Sequence, residues 1–167
     1  IANKSQFAKR YLVGVQYSFR ARKYLKKCKG KFDIVHVQSC PWAPFLVSIV
    51  KNTLKLPTVF NVQDMFPGSS IAAGVMPQKW MQKFFYKFQR IAYKKADVIT
   101  VISEDMKARV VAQGVPADKV RVIVNWYDDS FVKEIPWEEN LFVKKYNMSM
   151  DKFYVQYAGT MGFVFDY

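Results

Sequence analysis

The sequence predicts an α/β protein with a Rossmann-like parallel sheet and helices on both faces. Five short, nearly continuous apolar runs rich in Val and Ile are typical of parallel strands buried in a sheet. Stretches with apolar residues at helical spacing separate these runs. Strands that alternate with helices indicate right-handed crossovers and therefore a parallel sheet.

The first predicted element is an amphipathic helix from Ser5 to about Lys29, which Gly30 ends. Its apolar face consists of Phe7, Tyr11, Leu12, Val15, Phe19 and Leu25. Residues Asp33 to Val37 form the first predicted strand, which is short, β-branched and suited to burial on both faces. Gln38 and Ser39 then lie at its carboxyl end.

The middle of the chain is predicted to contain a helix from Pro44 to Lys55, a strand from Pro57 to Val62 and a loop from Gln63 to Gly74. A second helix begins at Pro77, and its apolar residues keep helical spacing while Lys and Arg fill the other positions. We expect this apolar stripe to face the core. A membrane-facing stripe is the alternative.

The remaining elements continue the same alternation. A third strand covers Asp97 to Ile102, and a short helix follows with Ser103 as its N-cap. The later elements are a fourth strand from Val120 to Val124, a connection from Asn125 to Pro136, a small helix from Glu138 to Tyr146, and a fifth strand from Phe153 to Ala158 that runs into Gly159.

Length and charge restrict the class of protein. The 167 residues suit one domain, and a 51% apolar content is enough for a sizeable core. Lys and Arg number 26 against 13 for Asp and Glu, so the net charge of +13 favours anionic partners: phosphorylated ligands, nucleic acid or anionic lipid. The first 31 residues contain no acidic residue, and this basic face is either a solvated helix surface or a contact with phosphate or membrane.

Several chemical classes lack their signatures. His36 is the single histidine, which excludes a two-His zinc site, and its place inside a strand predicts a core residue. The sequence has no Asp-x-Asp pattern, P-loop or dinucleotide-binding glycine motif. Cys28 and Cys40 have no metal-ligand spacing and favour a reducing cytoplasm. The longest apolar stretch, Cys40 to Val50, is too short to cross a bilayer.

The candidate site follows from the predicted sheet, because ligands of open parallel sheets bind beyond the carboxyl ends of the strands. The side chains expected at this edge are those of Gln38, Ser39, Gln63, Asp64, Ser103, Glu104 and Asn125. The carboxylate of Asp64 could orient or deprotonate a substrate hydroxyl, or it could act as a cap or turn residue. Gly159 and Gly162 could bring backbone N–H groups close to a phosphate, or form a plain tight turn.

Several short motifs fall in order along the chain: Asp97 to Ser103, the Gly114-Val115-Pro116 turn, Lys119 to Asp128, and Tyr157 to Gly162. Together they resemble glycosyltransferase family four, whose members have the GT-B fold. Upstream, the strand Asp33 to Ser39 and the loop Gln63 to Pro67 look like acceptor-domain elements of capsule and lipopolysaccharide sugar transferases.

The resemblance implies two Rossmann-like domains. Residues 1–124 would be the acceptor-side domain without its first strand or strands, residues 125–152 the interdomain connection with Asn125 and Asp128, and residues 153–167 the truncated start of the donor domain. Gly159 and Gly162 would then approach the donor diphosphate. Asp64 is the candidate catalytic group, and the other side chains at the strand ends, Gln38, Ser39, Gln63, Ser103 and Glu104, would bind acceptor.

The implied reaction moves a hexosyl group from a nucleoside-diphosphate sugar to a lipid-linked or polysaccharide acceptor, with retention at the anomeric carbon, in cell-surface polysaccharide synthesis. Backbone dipoles and cations would stabilise the departing diphosphate, so neither a metal nor another cofactor is expected. We expect the chain to be inactive by itself. Its expected location is the cytoplasm, with peripheral contact to the inner face of the plasma membrane through the basic helices.

Two other classes remain as alternatives. A stand-alone basic α/β module could bind nucleic acid or anionic lipid, although the sequence has no recognised nucleic-acid motif. A receiver-like or other flavodoxin-type domain would need an acidic cluster with a well-placed Lys at the strand ends, which Asp64 and Glu104 do not clearly provide.

Overall fold

A computed structural model describes residues 4–159 of the chain, with side chains from residue 12 onward. The helices and strands are α1 (Lys4–Lys27), β1 (Val35–Gln38), α2 (Ala43–Leu54), β2 (Thr58–Val62), α3 (Gly68–Ala72), α4 (Lys79–Lys95), β3 (Val98–Val101), α5 (Glu104–Val111), β4 (Val120–Val122) and α6 (Leu141–Lys145). A 3-10 turn, Ala117–Lys119, precedes β4. Two compact units divide after Val124.

The first unit contains a four-stranded parallel sheet in the order β1-β2-β3-β4 with helices around it, which confirms the predicted α/β class. One row of paired residues crosses all four strands: Val37, Phe60, Ile99 and Val120. Every member of this row is buried. The core lies between this face of the sheet and helices α2, α4 and α5, which contribute Val47, Tyr93 and Val110 among others.

Local sequence signals explain most element boundaries. Gly30 and Gly114 adopt φ angles of 79° and 86° just after α1 and α5, where a residue without a Cβ ends a helix at least cost. Pro44 lies in the first turn of α2, where its missing N–H costs nothing. The predicted helices and the first four strands are therefore confirmed. The short helix α3 is an addition, because it lies inside the predicted loop from Gln63 to Gly74.

Strand β1 is not buried on both faces, contrary to the sequence prediction. Val37 is buried, but His36 and Gln38 are exposed. Among the described residues β1 pairs only with β2, so it forms an edge of the sheet. Because successive side chains of a strand point to opposite faces, His36 and Gln38 lie on the face opposite the core. The prediction that His36 is a core residue is therefore wrong.

The predicted fifth strand is also absent from the structure. Residues 153–158 have no regular secondary structure, and Phe153 is 94% exposed. A strand forms where its backbone N–H and C=O groups pair with a neighbour. Between residues 125 and 159 the structure describes no other strand that could provide this pairing.

Helix α1 has the predicted length, but its buried face differs from the predicted one. Leu12 and Phe19 are 64% and 68% exposed, whereas Gly14, Ser18 and Cys28 are buried. The indole of Trp42 explains the difference, because a Cβ on residue 14 would lie 1.7 Å from its Nε1 atom. Helix α1 therefore packs on α2 through small residues, and its large apolar side chains remain outside the contact.

Candidate functional site

A row of hydrogen-bonded polar side chains crosses the carboxyl end of the sheet. Gln38, Asn61 and Thr100 pair in register on β1, β2 and β3. The Thr100 hydroxyl donates to Asn61 Oδ1 at 2.9 Å, and Asn61 Nδ2 donates to Gln38 Oε1 at 2.8 Å. These residues lie one position away from the buried Val37 row, so they occupy the opposite face of the sheet.

The direction of these hydrogen bonds fixes what the polar row can offer a ligand. Thr100 is buried, Asn61 is half-buried and Gln38 is exposed. Because Gln38 Oε1 accepts from Asn61, the Gln38 Nε2 group is left as an outward hydrogen-bond donor. Asn61 and Thr100 orient this amide. The half-buried Ser39 follows directly along the chain.

The sequence prediction identified Gln38 and Ser39 but missed Asn61 and Thr100. Asn61 and Thr100 lie inside β2 and β3, whereas the sequence prediction covers the residues at the carboxyl ends of the strands. A signal was present: Asn61 and Thr100 are polar residues one position before the last residue of two strongly apolar strands. With period-two alternation, such positions point away from the core.

Asp64 lies two residues beyond the end of β2 and is exposed. Within residues 12–159 no hydrogen bond or ion pair involves its carboxylate, so the group is open to an approaching ligand. Its neighbour Gln63 is half-buried. The loop continues into α3, and α4 supports it through a hydrogen bond of 2.6 Å from Gln89 Nε2 to the carbonyl oxygen of Phe66.

Ser103 and Glu104 have structural roles at the beginning of α5. Ser103 Oγ accepts a hydrogen bond of 3.2 Å from the backbone N–H of Met106, which is an N-cap contact. Glu104 is exposed in the first helical turn, where a negative charge favours the helix dipole. The N-cap role of Ser103 is confirmed, and acceptor binding by either residue stays a prediction.

The predicted interdomain and donor residues belong to the second unit. Asn125 is its first residue. The carboxylate of Asp128 accepts hydrogen bonds from the hydroxyl and backbone N–H of Ser130, and these bonds lower the pKa of Asp128 below its ordinary value. Asp128 thus stabilises a local turn. Gly159 is exposed, with the ring of Tyr157 next to its Cα, and Gly162 lies outside the described residues.

The amino end of the sheet has a different electrostatic arrangement. Asp97 Oδ2 accepts hydrogen bonds from Lys51 Nζ at 2.7 Å and from the backbone N–H of Thr58 at 2.6 Å. Partial burial opposes ionisation of Asp97, but these two donors outweigh it and lower the pKa of the carboxyl group. Asp97 thus connects β2 and β3 to α2 at the amino ends of the strands. The polar row lies near their carboxyl ends.

Two further features concern ligands and membranes. Among the residues that the structure describes, no three His, Cys, Asp or Glu side chains come together in a way that could hold a metal ion. No helix in the described part of the chain is both long enough and apolar enough to cross a bilayer.

Comparison with known proteins identifies one family. A family model described as a glycosyl transferase 4-like domain matches residues 4–126, which include the whole four-stranded sheet. No curated protein and no solved structure matches the chain significantly.

Proposed function

Because the chain belongs to the glycosyl transferase 4-like family, we propose that it takes part in transfer of a hexosyl group from a nucleoside-diphosphate sugar to an acceptor hydroxyl. The observation that supports this role is the polar row at the carboxyl end of the sheet. An outward amide, fixed by two supporting side chains, is suited to hydrogen bonding with the hydroxyl groups of a sugar or sugar-lipid.

Each side chain has a proposed role at this edge. Gln38 and Ser39 bind the acceptor, and Asp64 accepts the proton of the attacking hydroxyl. Asn61 and Thr100 act as positioning residues, because they reach the acceptor only through Gln38. Gln63, Ser103 and Glu104 would complete the acceptor side.

The donor side of the proposal concerns the leaving group. Transfer with retention passes through an oxocarbenium-like state in which negative charge grows on the departing diphosphate. Backbone N–H groups at Gly159 and Gly162 would stabilise this charge without a metal ion. The acceptor would be a lipid-linked saccharide or a polysaccharide used at the cell surface.

The strong positive charge suits an acceptor held at an anionic membrane. Helices α1 and α4 contain fourteen Lys and Arg residues and no Asp or Glu. Their charge would hold the protein on the inner face of the plasma membrane.

The experiment is a transfer assay on the product of the natural gene, expressed in full. Radiolabelled UDP-hexoses and GDP-hexoses are incubated with it and a membrane lipid extract. We expect label in the lipid or polysaccharide fraction from at least one donor, with the anomeric configuration of the donor retained in the product. No transfer from any of the donors would contradict the proposal.

The role of Asp64 has its own matched pair of variants. We expect Asp64→Asn to lower kcat by about 10² to 10⁴, because a positioned general base contributes that much. Asp118→Asn makes the same change at an exposed residue beside β4, away from the polar row, and should leave kcat unchanged. Equal rates in both variants would remove Asp64 from the mechanism.

A further inference from the structure

An apolar groove with a volume of about 680 Å³ lies between α1, α2 and α4. Its walls include Val15 and Phe19 from α1, Phe45 and Ile49 from α2, and Trp80 and Phe84 from α4. The groove is in the helical layer and shares no residue with the polar row. Its volume falls within the range of about 300–1,000 Å³ that is typical of small-molecule sites.

The groove exists because α1 packs on α2 through small residues. The close contact between Gly14 and Trp42 leaves Val15 and Phe19 outside the contact between α1 and α2, and both line the groove. Phe45 and Phe84 line it from the other two helices, and Phe88 supports both rings. The centroids of Phe45 and Phe88 are 4.2 Å apart in a stacked arrangement, and those of Phe84 and Phe88 are 4.6 Å apart with the rings tilted. Packed rings of this kind form a rigid apolar surface.

Large apolar side chains remain exposed along the rim of this groove. Phe19 and Trp80 are each 68% exposed, and Phe84 is 42% exposed. Exposed apolar side chains that line one groove together indicate a binding surface.

The charge around the groove selects the kind of ligand. The three helices that form it contain no Asp or Glu. Arg22 lines the groove, and further cations follow on the same two outer helices: Lys23, Lys26 and Lys27 on α1, and Lys79, Lys83 and Lys87 on α4. An apolar groove lined by one Arg, on helices that carry Lys and Arg but no Asp or Glu, is complementary to a molecule with an alkyl chain and an anionic head.

We propose that this groove binds the alkyl chain of one anionic lipid, with the phosphate of the lipid near Arg22. A nucleic acid would use the cations but leave the apolar walls in water, and a free phosphate would use only Arg22. Of the three, only an anionic lipid would contact both the apolar walls and the cations. If the bound lipid also carries the acceptor sugar, that part of the inference rests on the proposed function. Binding of the lipid itself does not depend on it.

The first test uses vesicles and the 167-residue chain. Co-sedimentation is measured with vesicles of phosphatidylcholine alone and with added phosphatidylglycerol. We expect strong binding only to the anionic vesicles, and weaker binding as the salt concentration rises. Equal binding to both compositions would overturn the proposal.

Matched Phe variants test the groove itself. The double variant Phe19→Asn/Phe84→Asn should weaken binding to the anionic vesicles by about tenfold or more, because two exposed aromatic side chains lose their apolar contact with the alkyl chain of the lipid. Phe131→Asn makes the same change at an 88% exposed residue of the second unit and should bind like wild type. Circular dichroism checks that each variant keeps its helices. Wild-type binding by the double variant would contradict the role of the groove.

A monomeric lipid separates insertion of a chain from attraction to a charged surface. Short-chain phosphatidylglycerol with brominated chains, used below its micelle concentration, should quench Trp fluorescence. The double variant Trp42→Phe/Trp80→Phe should remove most of that quenching, because both indoles line the groove. Glycerol phosphate, which has the head group but no chain, should not compete. Competition by glycerol phosphate, or quenching that persists in the double variant, would overturn the proposal. All these readouts measure binding, so their failure leaves the transfer assay unaffected, and failed transfer leaves them valid.

Discussion

At the scale of single residues, the carboxylate of Asp97 connects three elements. It accepts hydrogen bonds from Lys51 of α2 and from the backbone of Thr58 in β2, while it precedes β3 itself. Its folded-state pKa is lowered, so the carboxylate stabilises the fold above its unfolded-state pKa of about 3.9. This contribution is lost as the pH falls through the folded-state pKa.

The variant Asp97→Asn tests this linkage. We expect it to lower the free energy of unfolding near pH 7 by only about 0.2–1 kcal/mol, because the side chain is 48% exposed and solvent screens the ion pair. The difference from wild type should begin to shrink as the pH falls below about 4, where Asp97 takes up a proton in the unfolded chain. It should disappear only below the lowered folded-state pKa of Asp97. Thermal unfolding measured by circular dichroism across this pH range provides the check. A difference that is constant with pH would contradict the linkage.

The polar residues of the sheet show which site features the sequence could predict. Gln38, Ser39 and Asp64 were expected at strand ends, and the structure places them there. Asn61 and Thr100 were missed because their partnership depends on the register between strands, which only the assembled sheet defines. The sequence predicts a core position for His36 because its neighbours along the chain are apolar, but His36 lies on the face of the sheet opposite the core and is exposed.

At the scale of elements, α1 depends on a close approach between two helices. The Cα of Gly14 faces the indole of Trp42, and Ser18 is buried one turn later, where its hydroxyl donates to the Gly14 carbonyl oxygen at 2.9 Å. The helical period predicted where α1 begins and ends, but it did not predict the buried face. Hydropathy predicts that the large apolar residues of α1 form its buried face. In the structure only small residues fit beside Trp42.

The variant Gly14→Ala tests this packing by the sign of its effect. In an open helix this change should stabilise by about 0.5–1 kcal/mol, because Ala is the better helix former. Here the new Cβ would lie within 2.2 Å of three indole atoms, so we expect a destabilisation of about 1–3 kcal/mol. Chemical denaturation measures the difference.

The double variant Gly14→Ala/Trp42→Leu is the control for this clash. Removal of the indole makes room for the new methyl group, so the Gly14→Ala change should cost less in this background than in wild type. A stabilising Gly14→Ala in the wild-type background would contradict the proposed contact between α1 and α2.

At the scale of the whole molecule, the α/β class with its parallel sheet could be predicted, but the edges of the sheet could not. Alternation of strands and helices was sufficient for the α/β class, and the family match supports it. Whether a strand is central or at an edge depends on which neighbours it finds. For this reason the sequence predicts that β1 is buried on both faces, and it predicts a strand at residues 153–158 although the structure describes no strand between residues 125 and 159.

The molecule has two proposed binding surfaces with separate ligands. The polar row lies on the sheet and would bind acceptor hydroxyls, whereas the groove lies among α1, α2 and α4 and would bind a lipid chain. Because they share no residue, variants of one should leave binding at the other unchanged.

The most direct measurement of acceptor binding at the polar row is the acceptor KM of the full natural gene product with Gln38→Ala. We expect this variant to raise the acceptor KM about three- to tenfold with little change in the donor KM, because one hydrogen bond to the acceptor is lost. Gln113→Ala removes an amide just after α5 that is not part of the polar row and donates to the carbonyl oxygen of Arg109, so it should leave both constants unchanged. An acceptor KM for Gln38→Ala equal to that of wild type would contradict an acceptor site at this edge of the sheet.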